Sequence, residues 1–325
     1  MKLLLLRGQV PTDRDPKEIV FDKIDECDDM WTQLAWAMVN RAEGDKLEVW
    51  YWGGRREHKF ASNFTERWTP SFKGPLPKYE PDVIFCRGGF PEYHHVLAQF
   101  PKAYKIYYGA GRRYLPQKGF YDYDLILQDS PGQLEKCKKL FPKIKSSLFI
   151  KPAADNLFRH QVGIEKKYDI CFPANGKQWR FKGHKFVFET CPKDLSVYNI
   201  GNASKLPVPS NVTQKRFLRP QVAAEMQKCR VGIVCSGADI DSCPRVIPEM
   251  LACNLPVVVL NTTRFWVDKY ICSVTGEVAT KDNFWKVVRE VLDSPNSYFP
   301  SEYYTRELSL CKAADFILES MREES

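Results

Sequence analysis

The chain has 325 residues, of which 44% are apolar and 27% charged. That balance excludes a disordered polymer and leaves room for two domains of about 150 residues each. Lys and Arg outnumber Asp and Glu by 48 to 40, a formal charge of +8 that favours an acidic partner such as a nucleotide, an anionic lipid surface, a polyanionic glycan or a nucleic acid.

The opening Met1-Lys-Leu-Leu-Leu-Leu-Arg7 holds four consecutive leucines, too few for a signal-peptide core or a membrane span, and reads as a first buried strand. Leu47–Trp52, Val83–Cys86, Lys105–Tyr108 and Leu125–Leu127 repeat the pattern of short, nearly continuous apolar runs expected of parallel strands covered on both faces. Between the first two, Met30, Leu34, Ala37 and Met38 fall at helical spacing. Ser130-Pro131 ahead of Gln133–Leu140 reads as a capped helix start, and Leu148–Ile150 as the last strand of this half.

Lys151-Pro152 begins a crossover that runs to Lys167. Beyond it, Tyr168–Phe172, Ser196–Ile200, Val231–Cys235 and Val257–Leu260 read as strands, with helices at Phe186–Phe188, Gln221–Lys228 and Pro248–Cys253. Phe284–Leu292 and Tyr303–Glu319 are helical in period, and the second is expected to return to the first domain. The expected organisation is a Rossmann-like domain over 1–152, a crossover over 153–167, a second Rossmann-like domain over 168–300 and a helical segment over 301–325.

Eleven cysteines lie scattered without a repeated metal-ligand spacing. They argue for reduced, mostly buried thiols in a cytoplasmic protein, against a disulfide framework, and against zinc. Asp122-Tyr-Asp124 imitates an Asp-x-Asp metal site but has no ligand partner in the sequence, so no obligatory metal is expected.

Two stretches of the second half carry chemistry. Gly176-Lys177-Gln-Trp-Arg180-Phe-Lys182-Gly183-His184 follows a strand and gathers cations in a turn, as binding and departure of phosphate oxygens require. Asp241-Ser-Cys-Pro-Arg-Val-Ile-Pro-Glu249 sets two carboxylates eight positions apart, the first near a strand's carboxyl end and the second in the first turn of a helix.

Together these stretches resemble the retaining GT-B glycosyltransferases of the GT4 family. Members carry two glutamates separated by seven residues before a Pro-Val-Val strand, and Gly-Arg, four residues, then Lys-Gly earlier in the domain. Asp241, Glu249 and Pro256-Val257-Val258 match the first pattern, and Lys177 and Lys182 the second. Lys151-Pro-Ala-Ala-Asp-Asn-Leu-Phe158 is similar to the segment that precedes the family's second domain.

The resemblance implies a GT-B α/β fold of two Rossmann-like domains facing across a cleft. It also implies transfer of a sugar, with retention, from a nucleotide-diphosphate donor (a UDP- or GDP-sugar) to a hydroxyl acceptor, a glycan or glycoconjugate being favoured. Lys177, Arg180 and Lys182 would neutralise the diphosphate, Asp241 would orient the sugar, and Glu249 would hold the ribose. Lys177, Lys182 and Asp241 form the catalytic set.

On the acceptor side the family's histidine position falls on Tyr108, and His94, His95, Arg112 and Arg113 are further candidates. Gly8, after the first strand, would let the backbone approach an acceptor or the donor diphosphate, and is counted with the donor-binding residues. Asn254 stands where the family has glycine, and asparagine is the residue best suited to a positive backbone angle there. Two other readings stay open, a glycosyltransferase acting on hydroxylated bases of DNA and a non-catalytic nucleotide-sugar-binding protein. No transmembrane segment is expected, and peripheral membrane association is compatible with the charge.

Overall fold

The computed structural model describes residues 1–9, 29–44, 46–52, 56–61, 63–69, 72, 76, 78–109, 123–202, 205–236, 244–261 and 267–322. The chain divides into two compact units. Unit 1 comprises Met1–Ile150 with Leu310–Ser325, and unit 2 comprises Lys151–Ser309.

In unit 1 the elements run β1 (Lys2–Gln9), α1 (Met30–Arg41), β2 (Lys46–Trp52), β3 (Arg56–Ala61), β4 (Phe64–Thr69), β5 (Val83–Arg87), α2 (Tyr93–Leu97), β6 (Tyr104–Gly109), β7 (Leu125–Gln128), α3 (Pro131–Leu140) and β8 (Lys145–Leu148). They build an eight-stranded sheet of order β3-β4-β2-β1-β5-β6-β7-β8. Every neighbouring pair is parallel except β3 with β4. Leu3 to Leu6 are fully buried, as an unbroken apolar run requires when helices cover both faces. Each such leucine contributes about 2 kcal/mol by leaving water.

Helix α1 starts where the Asp29 carboxylate accepts the Thr32 N–H at 2.9 Å, satisfying one of the amides that a first turn leaves open. Its apolar face, Met30, Trp31, Leu34, Ala35, Met38 and Val39, is buried. Against α1 packs the last helix of the chain, Leu310–Arg322, and the Arg41 guanidinium grips Asp315 with two bonds of 2.7 Å. Lys145 Nζ donates to the Ser320 carbonyl at 2.7 Å. The expected return of a C-terminal helix to the first domain is therefore observed.

Asp29 also receives the Arg7 guanidinium at 2.7 Å. Burial alone would raise its pKa, but Arg7, Arg87 and the Thr32 bonds outweigh it and hold the carboxyl at about 2. Because the folded value lies below the unfolded one, this stabilisation is complete above pH 4 and is lost as pH falls through about 2. Asp29→Asn, which keeps an N-cap, is expected to destabilise the protein by about 2 kcal/mol at pH 7. The difference from the native chain in thermal melts should vanish towards pH 2.

In unit 2 the elements are β9 (Tyr168–Phe172), α4 (His184–Thr190), β10 (Val197–Ile200), β11 (Val212–Lys215), α5 (Arg219–Met226), β12 (Cys229–Val234), α6 (Val246–Ala252), β13 (Val257–Leu260), β14 (Gly276–Ala279), α7 (Phe284–Asp293) and α8 (Pro300–Tyr303). The sheet is wholly parallel in the order β11-β10-β9-β12-β13-β14. Its core joins Ile170, Phe172, Val197, Val231, Ile233 and Val258 to Val187 of α4 and Phe284, Val288 and Val291 of α7. Asn254 has φ +57, the left-handed conformation expected for it, and its Oδ1 accepts from Ser301 N at 3.2 Å and Ser301 Oγ at 3.0 Å.

Several elements depart from the sequence expectations. The β3–β4 hairpin, β11 and β14 appear where no apolar run announces a strand. The final strand of unit 1 ends at Leu148 rather than spanning Leu148–Ile150. The single helix expected over Tyr303–Glu319 is broken: Tyr304–Leu308 forms a π-helical turn, Ser309 is extended with ψ 164, and α9 (Leu310–Arg322) starts afresh. Gly8, expected beyond the first strand, lies inside β1, where the register with β2 shifts between Leu6 and Gln9.

Candidate functional site

In unit 2 the chain passes from β9 outward through β10 and β11, then returns to the other side of β9 for β12, β13 and β14. The order reverses between β9 and β12. Open parallel sheets bind ligands beyond the carboxyl ends of the strands at such a reversal. The basic stretch leaves the carboxyl end of β9, and α6, which carries Glu249, is the next described element after β12, so the basic stretch and Glu249 belong to the two strands that flank the reversal.

The basic stretch opens as a single 3-10 turn over Gly176–Gln178, capped by Asn175, whose Oδ1 accepts the Lys177 N–H at 3.0 Å. Lys177 and Arg180 are exposed and Lys182 is half-buried. The Arg180 guanidinium lies 5.3 Å from the centre of the Trp179 ring, a cation–π contact that steadies an otherwise loose side chain. Three cations thus follow one another within six residues of a single loop.

The far end of the stretch is pinned. Gly183 has φ +78, and a Cβ there would lie 2.2 Å from the Cys235 carbonyl oxygen and 2.6 Å from Cys235 Cβ. The backbone of the loop therefore rests directly on the segment that leaves β12. His184 follows as the first residue of α4, fully buried and edge-on to the Phe172 and Phe188 rings at 5.0 and 5.6 Å.

Burial lowers the pKa of His184 to about 4, so the imidazole is neutral at pH 7. With the folded value below the unfolded 6.5, stability is complete above pH 6.5 and falls as the pH drops towards 4. His184→Phe is expected to flatten the decline in melting temperature between pH 7 and 4. A profile identical to that of the native chain would contradict this account.

Glu249 is 3% exposed on α6, with Arg245 Nε 3.3 Å from its carboxylate. Helix α6 approaches β12 so closely that a Cβ at Gly232 would meet the Met250 sulfur at 2.3 Å, which fixes the helix carrying Glu249. Asp241 lies outside the described residues, as do Arg112 and Arg113.

In unit 1 the sheet order reverses between β1 and β5. Tyr108 is fully buried on β6; its hydroxyl donates to Asp129 Oδ2 at 2.9 Å, and its ring packs on Trp31 and Phe149. His94 is exposed and His95 half-buried on the short helix α2, their rings 5.0 Å apart. Asp124 accepts the Lys105 N–H at 2.6 Å and so ties the start of β7 to β6. No motif announces Arg7, Asp29 and Arg87, which meet at this reversal, Arg87 lying 5.7 Å over the Trp31 ring.

Among the described residues, no group of three or more His, Cys, Asp or Glu could hold a metal ion. No described helix is long and apolar enough to cross a membrane.

Two Rossmann-like α/β units, with the C-terminal helix packed on the first, define the GT-B fold. Solved structures share it over almost the whole chain. Sucrose-phosphate synthase from Thermosynechococcus elongatus superposes with a TM-score of 0.68 at 11% identity, covering 99% of each chain. AviGT4, a glycosyltransferase involved in avilamycin A biosynthesis, gives 0.62 at 12% identity, covering 99% of this chain and 97% of its own. WaaG, a glycosyltransferase involved in lipopolysaccharide biosynthesis, gives 0.60 at 13% identity, covering 98% of each. No family model matches the chain, and no curated protein matches it in sequence.

Proposed function

We propose that the chain is a retaining glycosyltransferase that moves a sugar from a UDP- or GDP-linked donor to a hydroxyl of a glycan or glycoconjugate in the cytoplasm. The observation that carries this reading is the basic loop at the β9–β12 reversal, seated by Gly183 on the segment leaving β12. The fold shared with glycosyltransferases supports it.

The acceptor oxygen attacks the anomeric carbon from the side on which the nucleotide leaves, the bond from that carbon to the phosphate oxygen breaks, and the acceptor proton passes to a donor phosphate oxygen. Charge accumulates on the departing diphosphate. Lys177, Arg180 and Lys182 meet it with cations carried on one loop, a stabilisation that grows as the bond breaks. Glu249 accepts the ribose hydroxyls, and Asp241 orients the sugar. Gly8 lets the backbone approach the donor, and acceptor contacts come from His94, His95, Arg112 and Arg113; Tyr108, fully buried with its hydroxyl on Asp129, supports the wall behind them instead of touching the acceptor. No side-chain base and no metal ion enters the scheme.

Incubation of the purified chain with a panel of UDP- and GDP-sugars, followed by mass spectrometry, tests the reading. Release of nucleoside diphosphate from one donor is the expected result. Failure to bind or cleave any of them rejects it.

A further inference from the structure

The loop's first turn is held by four carboxamides that belong to no motif. Asn199, fully buried on β10, donates from Nδ2 to the Phe172 carbonyl at 2.8 Å and to the Ala174 carbonyl at 3.1 Å, fastening the chain where it leaves β9. Its Oδ1 accepts from Nε2 of Gln214, its register partner on β11. Asn202, just beyond β10, donates from Nδ2 to Asn175 Oδ1 at 3.1 Å, and its carbonyl accepts the Gly176 N–H at 2.9 Å. Asn175 Oδ1 is the same atom that accepts the Lys177 N–H. Gly201 completes the contact: a Cβ there would lie 2.1 Å from the Ala174 carbonyl oxygen.

Three neighbouring strands thus converge on the main chain of Ala174–Lys177, and every side chain that does the holding is neutral. The choice matters electrostatically. Asp at position 175 could accept the same two hydrogen bonds and is an equally good cap, but it would set a negative charge beside a site whose use is to attract one. Carboxamides supply the geometry without that field.

We infer that Asn175, braced by Asn202, Asn199 and Gln214, is a positioning residue for anion binding, fixing the turn that launches Lys177 while adding no negative charge to the site. The inference rests on the proposed role of the basic loop in holding the donor diphosphate.

Inorganic pyrophosphate is the probe, titrated by calorimetry into the full chain and its variants. Lys182→Ala reports on the loop itself. Asn175 is exposed, so Asn175→Ala should melt within a few degrees of the native chain, yet weaken pyrophosphate about 5- to 10-fold by freeing the turn. Asn175→Ser retains an acceptor oxygen without charge and should recover most of the affinity. Asn175→Asp should keep the melting temperature and lose about 10-fold or more, and that loss separates a role at the anion site from a merely structural one, for which aspartate serves as well. Asn202→Ala gives a second route to the same loss.

If the native chain binds pyrophosphate and Lys182→Ala abolishes it while Asn175→Ala binds as the native chain does, the inference is overturned and the loop assignment stands. Wild-type affinity in Asn175→Asp equally overturns it. If the native chain does not bind pyrophosphate, the loop assignment fails and takes the inference with it.

Discussion

Replacing Gly183 with alanine is expected to destabilise unit 2 by about 3 kcal/mol or more and to weaken pyrophosphate or nucleotide binding by about two orders of magnitude. Two effects add. The left-handed conformation at φ +78 costs a residue with a side chain about 1 kcal/mol, and the new methyl would stand 2.2 Å from the Cys235 carbonyl oxygen and 2.8 Å from its carbon. Both are backbone atoms at the end of a core strand, so no rotamer change relieves the clash. The loop must lift away from β12, and Lys182 moves with it. Thermal unfolding and calorimetric titration of the variant measure the two effects separately, and native values in both would show that the loop does not depend on this contact.

Replacing Lys182 with alanine is expected to lower turnover about 100- to 1,000-fold, and by more than it weakens donor binding. The difference between the two losses carries the mechanistic content. A cation that only held the ground-state diphosphate would change KM and leave kcat intact, whereas one that meets charge as it develops must change kcat. Lys182 is half-buried between the exposed Arg180 and the anchored Gly183, which places its backbone in the fixed part of the loop. Lys182→Arg should restore part of the rate by retaining charge, with a different donor geometry. An unchanged kcat in Lys182→Ala, with a donor and acceptor in hand, would sink the assignment.

The interior of each sheet was legible from sequence because its strands are apolar on both faces. Leu3–Leu6, Val83–Cys86 and Val257–Leu260 are buried without interruption, and a continuous run cannot be mistaken for a loop. Edge strands leave no such mark. In β11, Val212 is buried while Thr213 and Lys215 are exposed, and in β14 only Gly276 and Ala279 are buried; four residues of that kind resemble any turn. The π-helical interruption at Tyr304–Leu308 was hidden for a related reason, since Tyr304 and Leu308 stay at a helix-like spacing and both are buried.

The candidate site divides in the same way. Lys177, Lys182 and Glu249 are spaced along the chain and could be matched to a pattern. Asn175, Asn199, Asn202 and Gln214 work through backbone carbonyls and amides that become neighbours only when β9, β10 and β11 pair. Arg7, Asp29 and Arg87 likewise meet only after β1 and β5 align. Chemistry carried by side-chain type shows in a sequence; chemistry carried by strand pairing does not.

Unit 1 is discontinuous: it is begun by Met1–Ile150 and completed by α9, whose Ala313, Ala314 and Ile317 are buried. During synthesis, when units fold as they emerge, the sheet of unit 1 and helix α1 leave the ribosome long before the helix that packs on α1. For that whole interval, while the entire second unit is translated, the α9-facing side of α1 is uncovered. The nascent chain therefore carries an incomplete first unit until residues 151–322 have been translated, and the last helix is the latch that completes it.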